Sequence, residues 1–401
     1  MSDDVLGTPS GELILRRVPE TKMPLQAWDR ADRLLIDLVE GVDSDEFAAE
    51  EGVSMLIVGD AFGALTCALR RFDPLVCIES AAGREALAQN LVLNGSAAVH
   101  AHSMLDIEEA TRSRKDFDLV VLRVPKSVGE LRDVLSRIRP HIHASGRVLV
   151  AGMDKHLSPQ VETVLEEVIG PTVRFLATGR ARHFCATLDS KRRVEENPWP
   201  VTWRAHGTTL VNHGGGFSPK DIDGGTNFLL RTVADFAEHV PPRDDGAARV
   251  VDLGCGNGIV GLRMAQDLTN DALAVEVVAI DDSALAIDAT QGSWELTAIG
   301  EAANLETHHA YRLAEVVEAT SVELIVVNPP FHTDRAVTDE TAWSMFVDAH
   351  RTLVDGGALI VVGNRHLAYH AKLSKIFGEV EVLGANNRFV VHRAIRAQRR
   401  R

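Results

Sequence analysis

Val250-Val251-Asp252-Leu253-Gly254-Cys255-Gly256-Asn257-Gly258-Ile259-Val260-Gly261 reads as an apolar strand, a glycine-rich turn and the start of a helix. Glycines at this point let the backbone approach a ligand closely, and the helix N-terminus behind them favours anionic groups. The run from Gly256 to Gly261 also satisfies the G-x-G-x-x-G dinucleotide pattern, which is weak evidence alone. A second strand over 275–280 ends in Asp281-Asp282-Ser283. A carboxylate about 20 residues beyond such glycines is placed to accept hydrogen bonds from ribose hydroxyls.

Further along stands Ile325-Val326-Val327-Asn328-Pro329-Pro330-Phe331-His332. The β-branched run marks a buried strand, and two prolines neither extend it nor start a helix with free N–H groups. The chain therefore turns sharply and aims the Asn328 side chain and the Pro329 carbonyl beyond the sheet edge. Two convergent acceptors suit a planar amine with two N–H donors, such as the exocyclic amine of a nucleobase; the plainer alternative is a rigid strand-to-loop turn. Asp281 does not separate dinucleotide dehydrogenases from methyltransferases, since both need a ribose acceptor. The Asn-Pro-Pro-Phe turn does, because hydride transfer has no use for it. The spacing of Asp252 to the glycines resembles the methyltransferase motif Asp-x-Gly-x-Gly-x-Gly, in which the loop wraps the amino acid end of S-adenosylmethionine. The expected catalytic residues are Asn328, Pro329, Pro330 and Phe331. The expected cofactor-binding residues are Asp252, Gly254, Cys255, Gly256, Asn257, Gly258, Asp281, Asp282 and Asn328. Asp252 either fixes the glycine loop or meets the methionine amine.

The chain has 401 residues, enough for two domains with full cores. A 45% hydrophobic and 25% charged composition describes an ordinary globular protein. Met1-Ser2-Asp3-Asp4 is acidic with no signal-type apolar core behind it, and no run approaches the roughly 18 apolar residues of a membrane span. Cys67, Cys77, Cys185 and Cys255 lack paired spacing, so free thiols and a cytoplasmic location are expected. A net charge of −15 argues against a protein that coats naked RNA, and leaves room for a local basic face. Arginine and lysine cluster at 180–193 and 393–401, either as such a face or as solvated linker and tail charges.

The same plan occurs twice. Strands are expected at 53–58, 75–79, 117–124 and 146–152, then again at 250–253, 275–281, 324–327 and 357–363. Helical segments between them imply an α/β fold of mostly parallel sheets flanked by helices. The first copy keeps Gly59 and Gly63 but lacks the middle glycine, and its fourth strand ends in Arg123-Val124-Pro125-Lys126. That basic turn suits phosphate but offers no paired acceptors. Residues 1–194 are therefore expected to form a degenerate domain for substrate binding or support, and residues 195–401 the catalytic one. Glu195-Glu196-Asn197-Pro198-Trp199-Pro200 reads as the linker. The glycine-rich loop at 213–219 either closes over cofactor or substrate or is a flexible connector.

Phe217-Ser218 with Asp223-x-Gly225-Thr226, the Asp252–Gly258 loop and Asn328-Pro329-Pro330-Phe331-His332 together resemble the RlmG/RsmC family. These are ribosomal RNA (guanine-N2) methyltransferases of two tandem Rossmann-like methyltransferase domains, the N-terminal one degenerate. Arg123 to Lys126 and the stretches 363–378 and 388–391 look more like the RlmG branch, which modifies large-subunit rRNA. The resemblance implies S-adenosyl-L-methionine as cofactor and ribosomal RNA as partner; no metal is expected, because the cysteines lack paired spacing and His366 and His370 have no carboxylate partner. Phe217, Phe331, His332, Arg123 and Lys126 are expected toward the substrate, the last two through their basic turn. One departure is His308-His309-Ala310-Tyr311, where an acid or amide usually meets the cofactor adenine; that contact is unassigned. Competing readings are small-subunit rRNA, adenine N6 or a protein glutamine amide as acceptor, and a non-catalytic RNA-binding assembly factor. The intact second loop weighs against the last. A monomer is the default expectation.

Overall fold

The computed structural model describes residues 4–20, 25–42, 45–216, 221–242, 246–330 and 335–397. Contacts divide the chain into two units, Met1–Trp199 with His213–Gly215, and Pro200–Asn212 with Gly216–Arg401. The sequence placed the boundary after residue 194.

In the second unit, parallel strands Ala248–Leu253, Val275–Asp281, Ala303–His309, Val322–Val327 and Leu353–Asn364 form one sheet with antiparallel Val380–Ala385 and Phe389–Ile395. Numbered by appearance, their order is 3-2-1-4-5-7-6. Reversal of strand order between the first and fourth strands opens a crevice at their carboxyl ends, where ligands of open α/β sheets bind. The fourth strand is buried at all six positions. Its Val, Leu and Ile side chains each contribute about 1.5–3 kcal/mol by burial. Glu323, the polar exception, accepts the Arg249 N–H at 2.7 Å. Separate apolar clusters cover the two sheet faces, one around Leu229, Leu262 and Ile360, the other around Phe346, Leu359 and Leu373.

The first unit repeats this order with strands Met55–Val58, Leu75–Cys77, Ala101–His102, Phe117–Arg123, Ile142–Met153, Thr172–Arg174 and Ala181–Thr187. Each sheet is preceded by a two-stranded hairpin, Val5–Thr8 with Gly11–Ile14 and Val201–Ala205 with Thr208–Asn212. The α/β fold of two mostly parallel sheets is thus as expected; the hairpins, the third strand of each sheet and its two antiparallel strands are additions. Among the described residues no helix is long and apolar enough to cross a membrane. All four cysteines are free and buried.

Candidate active site

The glycine loop of the second unit takes its shape from three positive-φ residues, Gly254, Gly256 and Gly258. Gly254 N–H donates to the Ile280 carbonyl at 2.7 Å, and Gly258 N–H to Cys255 at 2.8 Å. Gly258 then caps the helix Ile259–Asn270 without a side chain. Asp252 supplies what the cap lacks: its Oδ2 accepts the Gly261 N–H at 2.8 Å. The Asp252 carboxylate thus caps the first turn of that helix, an arrangement compatible with either of its expected roles. Burial pushes the Asp252 carboxyl up to about 7, the nearby Asp281 charge adding to it and the Gly261 N–H opposing.

Asp281 ends the second strand, and its Oδ2 accepts the Gly256 N–H at 3.0 Å while Oδ1 accepts Ser283 N–H at 2.9 Å. It therefore braces the loop as well as standing where a ribose acceptor is expected. Burial raises its carboxyl above the usual range. The Asp282 carbonyl accepts from His309 Nε2 at 3.0 Å. Cys255 is buried, with its thiol pushed well above the ordinary range by burial, and takes the Thr290 hydroxyl at 3.2 Å. Asn257 donates from Nδ2 to Asn212 Oδ1 at 3.1 Å, the same oxygen that accepts Trp203 Nε1–H at 2.9 Å. The second hairpin thereby joins the loop.

Asn328 lies beyond the fourth strand, followed by a buried Pro329 and an exposed Pro330. Its Nδ2 donates to Asp223 Oδ2 at 3.0 Å and to Thr226 Oγ1 at 2.9 Å. Asp223 is the N-cap of the helix Gly224–Thr232 and also accepts from Gly225 and Thr226 N–H. Both amide hydrogens being held, Oδ1 is left as a buried acceptor without a partner among the described residues. An unsatisfied buried acceptor costs about 1–3 kcal/mol, so it marks a place where a donor belongs. Asp223, Thr226, Asp252, Asn328 and the loop line one cleft of about 560 Å³ that opens to solvent. Phe217, Phe331 and His332 lie outside the described residues.

Sequence alone gives Asp223 and Thr226 a place in a motif and no role in catalysis. Their signal is local: an aspartate and a threonine three apart at a helix start. The partner 105 positions on is visible only in the fold.

Strand register matches Gly59 to Gly254 and Arg123 to Asn328, and the helix N-caps match Asp29 to Asp223 and Asp32 to Thr226. Where Asn328 meets an acid and a hydroxyl, Arg123 meets two acids. Its guanidinium donates to Asp29 at 2.6 and 2.9 Å and stands 3.2 Å from Asp32. Burial pushes the Asp32 carboxyl up to about 7, whereas at Asp29 burial is outweighed by Arg123 together with the Ala31 and Asp32 N–H groups, which hold the carboxyl below its usual range. A Cβ on Gly59 would come within 3.3 Å of Arg123, while one on Gly254 or Gly256 would meet nothing within 4 Å. Asp60 fills the first loop from within, accepting Gly63 N–H at 3.0 Å and both Thr66 donors at 2.7–2.8 Å. The cradle of the second unit is open and that of the first is packed with its own side chains. Arg123 is internal here, its side chain 17% exposed; Lys126 is exposed. Among the described residues no group of three His, Cys, Asp or Glu is arranged to hold a metal ion.

An open loop after the first strand and a free amide acceptor after the fourth, on a sheet ordered 3-2-1-4-5-7-6, place the chain among the methyltransferases. Residues 207–393 match the methyltransferase small domain, and residues 3–190 match the RLMG N-terminal domain. The ribosomal RNA large subunit methyltransferase G of Streptomyces avermitilis is 36% identical over 406 residues, covering 98% of this chain and 100% of that one. The protein of the same name from Pseudomonas putida (strain W619) is 37% identical over 394 residues, covering 97% and 99%. The chain belongs to the ribosomal RNA large subunit methyltransferase G family. In fold it resembles the T. thermophilus 16S rRNA N2 G1207 methyltransferase (RsmC) in complex with AdoMet and guanosine, with a TM-score of 0.70 at 21% identity, covering 98% of this chain and 97% of that chain.

Proposed function

We propose that the second unit transfers a methyl group from S-adenosylmethionine to the exocyclic N2 amine of a guanine in large-subunit ribosomal RNA. The observation that carries this reading is the Asn328 carboxamide, donors held and Oδ1 free. The names of the full-length relatives support the RNA and the subunit, and the guanosine named with the RsmC structure supports the base. The residues present fit the cofactor, because the loop leaves open space above Gly254 and Gly256.

When bound, S-adenosylmethionine supplies a methyl group already activated on sulfonium sulfur. The protein's task is to align a weak nucleophile, since the N2 lone pair is delocalised into the guanine ring. Asn328 Oδ1 accepts one amine hydrogen and the Pro329 carbonyl the other, which turns the lone pair toward the methyl. Both acceptors also stabilise the positive charge that would develop on nitrogen as the N–C bond forms and the carbon–sulfur bond breaks to a neutral thioether. The surplus N–H proton would then pass to water in the open cleft. Asp223 and Thr226 hold the carboxamide in the one orientation that presents oxygen, so no reorganisation is needed at the moment of transfer. The base leaves its stack to reach the cleft. The site works in the cytoplasm, and the chain acts as a monomer.

Tritium transfer from S-adenosylmethionine to protein-free large- and small-subunit rRNA tests the substrate. Label is expected in the large-subunit RNA; label confined to the small-subunit RNA would overturn the subunit, and label on neither would overturn free rRNA as substrate. The packed first cradle gives a second expectation. Isothermal titration yields one equivalent of S-adenosylmethionine per chain, and two equivalents would show that Arg123 and Asp60 do not close the first unit.

A further inference from the structure

Two arginines stand at the carboxyl edge of the catalytic sheet, on the side away from the glycine loop. The fifth strand, Leu353–Asn364, pairs with the fourth through Val327↔Val361 and with the antiparallel strand Phe389–Ile395 through Asn364↔Phe389. Arg365 and Arg388 follow and precede that last pair, and Arg365 N–H donates to the Arg388 carbonyl at 2.9 Å. Strand spacing of about 4.8 Å and rise of about 3.3 Å put them roughly 10–15 Å from Asn328. A packing contact links the two places. A Cβ on Gly224, the neighbour of Asp223, would touch the Phe389 ring at 3.2 Å.

Both guanidinium groups are exposed yet held. Arg365 donates from Nε and Nη2 to the Asn386 carbonyl at 3.2 and 2.9 Å. The Arg388 guanidinium lies over the Phe389 ring at 5.0 Å. Neither has a carboxylate partner among the described residues, in a chain of net charge −15 whose neighbouring Arg393 and Arg396 face Glu381 and Asp355. A guanidinium has five donors in a fixed fork, so Arg365 retains three N–H groups for an anion after its two bonds. Two pre-oriented arginines with no carboxylate partner among the described residues, beside a site for a nucleobase, suit the phosphates attached to that base's neighbours.

We propose that Arg365 and Arg388 clamp the sugar–phosphate backbone of a single-stranded RNA segment beside the extruded base. This rests on the methyl-transfer reading above. It gives an acidic chain a small basic footprint and places it at the edge of the cleft.

The test compares the wild-type chain with Arg365→Ala/Arg388→Ala and Arg365→Lys/Arg388→Lys on protein-free large-subunit rRNA. Binding is measured against salt, and kcat and KM by tritium transfer. The alanine pair is expected to lower the slope of log K against log salt by about 1.4 and to weaken binding roughly tenfold at low salt. KM rises with it, while kcat and the affinity for S-adenosylmethionine stay within about twofold. The lysine pair restores the salt slope, which a merely structural role would not explain. A salt slope and KM unchanged in the alanine pair, with wild-type methylation intact, overturn the clamp alone. A wild-type chain that neither binds nor methylates the RNA removes the underlying reading, and the clamp with it.

Discussion

Asn328→Ala lowers kcat for methyl transfer on the order of 10²–10³-fold, the usual cost of removing one pre-oriented group that stabilises charge in a transition state. The acceptor is lost where positive charge develops, and water in the vacated space is not held in line. Asp223→Ala acts through the same atom. Without Asp223 Oδ2 the Asn328 amide keeps only Thr226 as an acceptor, and the carboxamide is free to rotate. Its kcat is expected to fall about tenfold or more, one misoriented contact being worth at least 1.4 kcal/mol. The pair forms one unit, so the double variant is expected to be no slower than Asn328→Ala alone. A double-mutant cycle checks this: multiplicative losses would show that Asp223 does not act through Asn328. Single-turnover kinetics give the comparison without product release.

Gly254→Ala has the second large effect, and it falls on the cofactor. At φ 78° an alanine is strained, at about 1–2 kcal/mol. Its Cβ meets no protein atom within 4 Å and instead projects into the open cradle. S-adenosylmethionine affinity is therefore expected to drop by roughly tenfold or more, beyond what the loss of stability explains. Gly258→Ala behaves differently. Its Cβ would come 2.9 Å from Thr290 Cγ2, so overpacking adds about 1–3 kcal/mol to the backbone strain and the loss is chiefly of stability. Calorimetric titration and denaturant unfolding of both variants separate the two. Undiminished cofactor affinity in Gly254→Ala would mean that the open space is not the cofactor's.

Four of the five parallel strands of each sheet and both functional turns were legible because each is a local pattern; the third strands were not, Ala101–His102 being two residues long and Ala303–His309 having no fully buried position. A β-branched run such as Val322–Val327 has no competing period, and glycines or prolines at its end name the turn. The antiparallel strand Ala181–Thr187 is buried at five of seven positions but carries arginine and histidine, which disguise it. The hairpin strand Val201–Ala205 alternates apolar and polar residues, but over five positions of which none is fully buried, so its signature is short. Arg123 shows the limit most clearly. Read locally, a basic turn suits phosphate; in the fold its guanidinium meets Asp29 and Asp32, more than 90 positions upstream. Asn328 was legible as a turn with a free acceptor. The reason its oxygen and not its nitrogen is presented lies in Asp223 and Thr226, and that pairing exists only once the sheet has formed.

The most direct measurement is nucleoside analysis of large-subunit rRNA methylated by the wild-type chain and by Asn328→Ala, each saturated with S-adenosylmethionine. The expected result is N2-methylguanosine with the wild type and its near absence with the variant. Methyl groups on another atom, or N2-methylguanosine formed equally fast by Asn328→Ala, would contradict the assignment of the Asn328 carboxamide as the amine acceptor.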